Sequence, residues 1–155
     1  AVPAGFVAVR GEGIRITVDS SPQADTSDEV RDEDLATLVD GLWHAGAEAI
    51  AINDERLNAA GGIRNTGRAI HVNGRPVNAP YQVSAIGNSG TLEARLLASS
   101  QGQVWFTLVD GLDFRYSVQK IDDLRLPSAP IPVLRDVIEF EEAPNGKPTG
   151  EDAAP

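Results

Sequence analysis

Apolar and polar positions first alternate at Ile14, Ile16 and Val18, just after Gly11 and Gly13. A period of two is that of a half-buried strand, and this one ends at the polar turn Asp19 to Pro22. Residues 20–31, SSPQADTSDEVR, are polar and acidic, which predicts an exposed loop free to move. The period then changes. Leu35, Leu38, Val39 and Leu42 recur at i, i+3, i+4 and i+7 and place one apolar stripe along a helix. Asp32, Glu33 and Asp34 lie at its start, where carboxylates favour the positive end of the helix dipole. Gly46 follows its last turn as a left-handed cap. Ala47 to Ile52 is a short apolar strand. A strand, a helix and a strand joined by short turns form a βαβ unit, so the first two strands are expected to be parallel.

Further along, Ala69–Val72 has strand character and Asn73-Gly74 is a strong hairpin signal, since both residues tolerate positive φ. Pro76 and Pro80 keep the returning stretch short or at an edge. Tyr81, Val83 and Ala85 alternate into another strand that closes at Gly87, and TLEARLLAS predicts a helix beginning near Ser89 or Gly90. Residues 103–112, QVWFTLVDGL, satisfy both periods. Helix is favoured because Gly111 and Asp113 punctuate it before the alternating Phe114, Tyr116 and Val118. Pro127–Val133 is extended, and from Glu141 onward the composition is that of a disordered acidic tail. The order β-α-β-β-β-α-α-β predicts an α+β fold, a two-layer sandwich with a mixed β-sheet and its helices on one face. The organisation is a lead-in over residues 1–10, an α+β domain over 11–127, and a Pro-rich segment with an acidic tail over 128–155.

Composition narrows the classes. At 155 residues with 41% hydrophobic content, the chain supports one domain with a real core. No run of about 18 apolar residues provides a membrane span. Net charge is −10, and Lys120 and Lys147 are the only lysines. Nucleic-acid backbones and anionic lipid surfaces are therefore poor partners, since binding them relies on clustered positive charge. There is no cysteine, which removes disulfides and thiolate chemistry. The first residue is Ala and no Met occurs, so a processed product or a fragment is expected.

Each catalytic template fails on a named residue. His44 and His71 are the only histidines, and neither has a second histidine or a carboxylate at metal-ligand spacing. His44 lies roughly opposite the apolar stripe, as a solvated residue does, and His71 faces away from Ile70 and Val72. GNSG at 87–90 lacks the spacing of a nucleophile elbow, and neither GEG at 11–13 nor AAGG at 59–62 makes a phosphate loop. Asp122-Asp123 and Glu141-Glu142 are sequence neighbours that resemble solvated charge more than a glycosidase pair. No catalytic residue, metal site or cofactor is expected. What remains is the polar cluster Asn53, Asp54, Glu55 and Arg56, followed by Arg64, Asn65 and Arg68. Asn53 ends the second strand of the βαβ unit, the edge where ligands of α/β sheets gather. Asn53, Arg56, Arg64 and Asn65 are the candidates for a ligand or partner surface. The plainer alternative makes Asn53 and Asp54 a turn and the arginines neutralisers of an acidic surface.

The segments GEGIRITVDSSP, DLATLVDGLWHAGAEAIAIND, ERLNAAGGIRNTGRAIHVNGRPVNAPYQVSAIGN and TLEARL follow one another as in the bacterial domain of unknown function 881 (DUF881). The resemblance spans residues 11–127 and rests on GAEAI-x-IN, IR-x-x-G, VNG-x-P and PY-x-x-x-AIG in that order. The Arg- and Ala-rich composition resembles that of an actinobacterial, specifically mycobacterial, member. Trp43, His44 and the long acidic tail depart from the family pattern. The resemblance implies a single-pass membrane-anchored envelope protein with this domain outside the cytoplasmic membrane. It further implies a scaffold or regulator with protein partners in cell division or wall assembly. Membrane contact would come only through an anchor outside this fragment, and self-association stays open. No catalytic residues are established for the family, so none are carried over. Two alternatives stand beside the interaction domain: a small-ligand sensor using Asn53, Arg56 and Arg64, and a wall-active hydrolase.

Overall fold

The structure, a computed structural model, describes residues 7–58, 62–66 and 69–129. Two sheets form. The larger contains β1 (Val9–Asp19), β2 (Ala49–Ile52), β3 (Glu55–Arg56), β7 (Tyr81–Ile86) and β8 (Arg115–Leu126) in the order β3-β2-β7-β1-β8. The smaller runs β4 (Ile63–Thr66), β5 (Ala69–Val72), β6 (Arg75–Val77). Three helices complete the fold: α1 (Asp32–His44), α2 (Leu92–Ala98) and α3 (Ser100–Leu112). The α+β class and the expected helices are present.

The βαβ expectation holds in direction but not in adjacency. β7 lies between β1 and β2 and is antiparallel to both, through Ile16↔Val83 and Ile50↔Ala85. The crossover through α1 leaves a one-strand gap that the returning β7 fills. The mixed sheet is thus a sheet whose β1 and β2 run together while every paired neighbour is antiparallel. β3, β4 and β6 are additional short strands. β3 arises because Asn53 (φ 46°) and Asp54 (φ 68°) form a tight two-residue turn without glycine, as residue types that tolerate the left-handed region allow.

The front face carries the main core. Ile14, Ile16, Val18, Ile50, Ile52, Val83 and Ala85 meet Leu35, Leu38, Leu42, Leu96 and Trp105. The α1 stripe is buried as its period requires. The helix ends with Gly46 at φ 102°, Gly46 N donating to Trp43 O and Ala47 N to Leu42 O, the paired bonds of a Schellman cap. α3 closes on Asp113 in the left-handed region at φ 58°.

Beyond Gly13 the β1–β8 ribbon bends across the back of the sheet. From Gly11 to Gly13, β1 advances two residues while its partner runs from Leu124 to Ile121, three residues, so β8 carries a bulge at Asp122-Asp123. Gly13 passes directly against the Ala85 carbonyl, where no Cβ fits. The bulge brings Leu124 and Leu126 into phase with Ile121, and they bury Ala49, Ala51 and Ile86. The two-layer sandwich therefore has a local cover on its back face. Among the described residues no helix is long and apolar enough to cross a membrane. The expected disordered tail lies outside the described residues, as do residues 1–6 of the lead-in.

Candidate functional site

Where β1 ends at Asp19, the chain enters the acidic loop, and the structure shows that loop to be organised. Val30 is buried, and its N–H donates to Ser20 Oγ at 3.0 Å, tying the far end of the loop back to its beginning. Asp25 accepts from Ser27 N at 3.0 Å and opens a single turn of 3-10 helix over Thr26–Asp28. Arg31 N donates to Asp34 Oδ2 at 3.0 Å, which satisfies one of the orphan donors at the start of α1.

This loop and the start of α1 form one wall of a groove of about 960 Å³. Asn65 of β4 and Ile70 of β5 stand on the other side, with Ala79 and Tyr81 completing the lining. Asp19, Glu29, Asp32 and Glu33 line it against a single arginine, Arg31, whose Nη1 is 3.9 Å from Glu33. Asp19 is engaged by Arg115 at 3.1 Å. Glu29 and Asp32 have no ion-pair partner among the described residues. Tyr81 is 9% exposed as a residue, and its hydroxyl makes no hydrogen bond among the described residues and is not sealed from solvent. Burial, then the negative charges of Asp19 and Glu29, push its phenol above the ordinary tyrosine range. Beyond the Asp19–Arg115 pair lies a smaller hollow of about 350 Å³ lined by Thr17, Pro80, Tyr116 and Ser117, which shares Asp19 with the groove.

The predicted residues separate. Asn65 lines the groove; Asn53, Arg56 and Arg64 do not. Asn53 is a clamp: its Nδ2 donates to Asn78 O at 2.8 Å and its Oδ1 accepts from Gln82 N at 2.7 Å. It thereby holds the segment that carries Ala79 and Tyr81 into the groove. Arg56 was expected on an open polar surface and is instead 4% exposed. Its pairing with Ala51 turns it to the back of the sheet, where Nη1 donates to Val7 O at 2.7 Å and Pro127 O at 3.0 Å. Arg64 is exposed on β4 opposite His71. Arg68 lies outside the described residues. His44 is exposed, with Nδ1 at 2.8 Å from Asp40 O, so this nitrogen carries the proton. Among the described residues no group of three or more His, Asp or Glu is close enough to hold a metal ion.

The groove residues Glu29, Asp32 and Tyr81 were not singled out by sequence. Acidic residues in a loop read as solvated charge, and Tyr81 sits at an apolar-phase position of β7, which hides its hydroxyl. The available signal was an acidic loop leading directly from a strand end into a helix start.

Known proteins are similar to this chain in sequence and in fold. The family model of a bacterial protein of unknown function, DUF881, matches residues 1–135. A UPF0749 protein of Mycobacterium tuberculosis is 33% identical over 122 residues, covering 64% of this chain and 40% of the relative. The UPF0749 protein YlxW of Bacillus subtilis is 32% identical over 93 residues, covering 57% of this chain and again 40% of the relative. The chain thus spans about two fifths of the length of the curated relatives it matches. A crystal structure of an uncharacterized conserved protein from Mycobacterium tuberculosis superposes with TM-score 0.68 at 28% identity, covering 83% of this chain and 87% of that one.

Proposed function

Since the chain belongs to the DUF881 family of bacterial proteins, we propose that it is a protein-interaction domain of a membrane-anchored envelope protein. The domain lies outside the cytoplasmic membrane and serves as a scaffold or regulator in division or wall assembly. The observation that supports binding of a polypeptide is the groove beside α1. Its two sides come from separate elements, and its lining is dominated by charged and polar side chains. Small-molecule sites of similar volume are lined mainly by apolar and aromatic groups, with few polar ones. A polar, open groove fits the rim chemistry of a protein interface better.

The small-ligand sensor built on Asn53, Arg56 and Arg64 has less support. The side chains of Asn53 and Arg56 are already bonded to backbone groups of Asn78, Gln82, Val7 and Pro127. Cross-linking the tagged full-length protein in intact cells, followed by recovery from the envelope fraction, tests the proposal. Specific co-recovery of envelope proteins is expected. Recovery of the protein alone, or its absence from the envelope fraction, would overturn it.

A further inference from the structure

We infer that the groove receives a basic segment of a partner polypeptide, with an arginine or lysine side chain seated against Glu29, Asp32 and Tyr81; the inference rests on the interaction-domain reading above. Two independent observations point to a cation. The first is charge: four carboxylates line the groove with one arginine, and Glu29 and Asp32 are unpaired among the described residues. The second is Tyr81, a groove-lining residue nine-tenths buried, whose hydroxyl tip is left accessible and bonds to no described residue. A phenol in that position offers an oxygen acceptor to an N–H donor and a ring face to a cation.

Magnitudes favour a cation over an anion. The amino terminus of α1 contributes roughly half a positive charge, whereas Asp32 and Glu33 beside it carry a full negative charge each. A bare metal ion is disfavoured because the carboxylates are too dispersed to form a coordination group. A guanidinium or ammonium group on a long stem, able to reach separated acceptors, suits the spacing. The groove also exceeds what one side chain fills, and Asn65 extends polar lining to its far wall. A free polyamine carries the same ammonium chemistry without a backbone to occupy that remaining length.

The test uses the full chain and a fluorescein-labelled octapeptide alternating Arg and Gly, followed by anisotropy, with spermidine as competitor. Glu29→Gln/Asp32→Asn is expected to weaken binding about tenfold or more, the loss of two charge-assisted contacts. Tyr81→Phe, which keeps the ring, is expected to weaken it about threefold. Asp110→Asn/Asp122→Asn removes the same charge from exposed positions elsewhere and is expected to leave binding unchanged. Equal weakening by both double variants, wild-type binding by Tyr81→Phe, or no binding at all would overturn the inference. Displacement by spermidine at concentrations equal to the peptide would also overturn it by assigning the site to a free polyamine. Repeating the cellular cross-linking with Glu29→Gln/Asp32→Asn separates the two readings. Partners captured equally by wild type and variant sink the groove and leave the interaction domain standing. Capture by neither sinks the interaction domain itself.

Discussion

Arg56 donates through Nη1 to the carbonyl oxygen of Pro127 at 3.0 Å, and through the same nitrogen to Val7 O at 2.7 Å. One buried guanidinium therefore ties the segments flanking the β1–β8 ribbon to the short β3 strand. No carboxylate faces it among the described residues, its Nε is buried without a partner, and burial draws its pKa below the ordinary arginine value. Arg56→Ala leaves two carbonyls without their donor, at about 1–3 kcal/mol for each one left buried. A loss of about 2–4 kcal/mol in urea unfolding is expected. Arg56→Met removes the desolvated charge while keeping most of the volume, so it should cost less than Arg56→Ala. Both variants lose the bonds to Val7 and Pro127, so equal losses would show that those bonds, and not the filled volume, set the cost, and would contradict the expected ranking.

Gly13 and Gly74 require glycine for different reasons. At Gly13 a Cβ would overlap the Ala85 carbonyl, which is backbone and cannot swing aside. Gly74 has open space around it but φ +77°. Gly13→Ala is expected to cost about 3 kcal/mol or more through overpacking and disruption of the β1–β7 pairing. Gly74→Ala should cost only about 1 kcal/mol of left-handed strain. Amide exchange at Ile14 and Ala85, accelerated by the first substitution and not by the second, is the check.

Much of the fold was legible because local periods are strong where one face is buried. The α1 stripe, the Asn73-Gly74 turn and the helix over QVWFTLVDGL all follow from neighbours within a few residues. The insertion of β7 between β1 and β2 depends on long-range pairing that no local period encodes. The full length of β8 was concealed because the bulge at Asp122-Asp123 shifts the phase between Ile121 and Leu124. At the site, Asn65 reached the groove as a polar strand residue. The burial of Arg56 was not legible, because an arginine bonded to carbonyls is indistinguishable in sequence from a solvated one.

Both tyrosines titrate upward. Tyr116 is held high mainly by burial, with a smaller contribution from Glu93, and Tyr81 by burial with Asp19 and Glu29. Tyr116 packs edge-on to Phe106 at 5.3 Å and lies 6.3 Å from Trp105, with its hydroxyl buried and without a hydrogen-bond partner among the described residues. A phenol whose pKa is raised on folding binds its proton more tightly in the native state. That stability is fully present below the unfolded value of about 10 and is lost as pH rises from there toward the folded values. Phenolate absorbance in the native protein should therefore lag behind that of the urea-unfolded chain. Its rise should coincide with loss of near-ultraviolet dichroism. A rise near the unfolded value of about 10, with tertiary structure intact, would contradict the buried environment of these phenols.

Asn53 combines a left-handed backbone with two side-chain bonds, and substitutions separate the contributions. Its φ is 46°, its Nδ2 donates to Asn78 O at 2.8 Å, and its Oδ1 accepts from Gln82 N at 2.7 Å. Asn53→Gly keeps the turn and loses both bonds, at about 1–2 kcal/mol. Asn53→Ala loses the bonds and adds left-handed strain of about 1 kcal/mol, so it should be the worse of the two. Both variants release the 78–80 segment that precedes Tyr81, and hence one side of the groove. Thermal unfolding ranks their stability, while the fluorescence of a probe attached at Ala79→Cys reports mobility of that segment. If Asn53→Gly matched wild type in both, the side-chain clamp would be incidental and the turn alone would set the position of Tyr81.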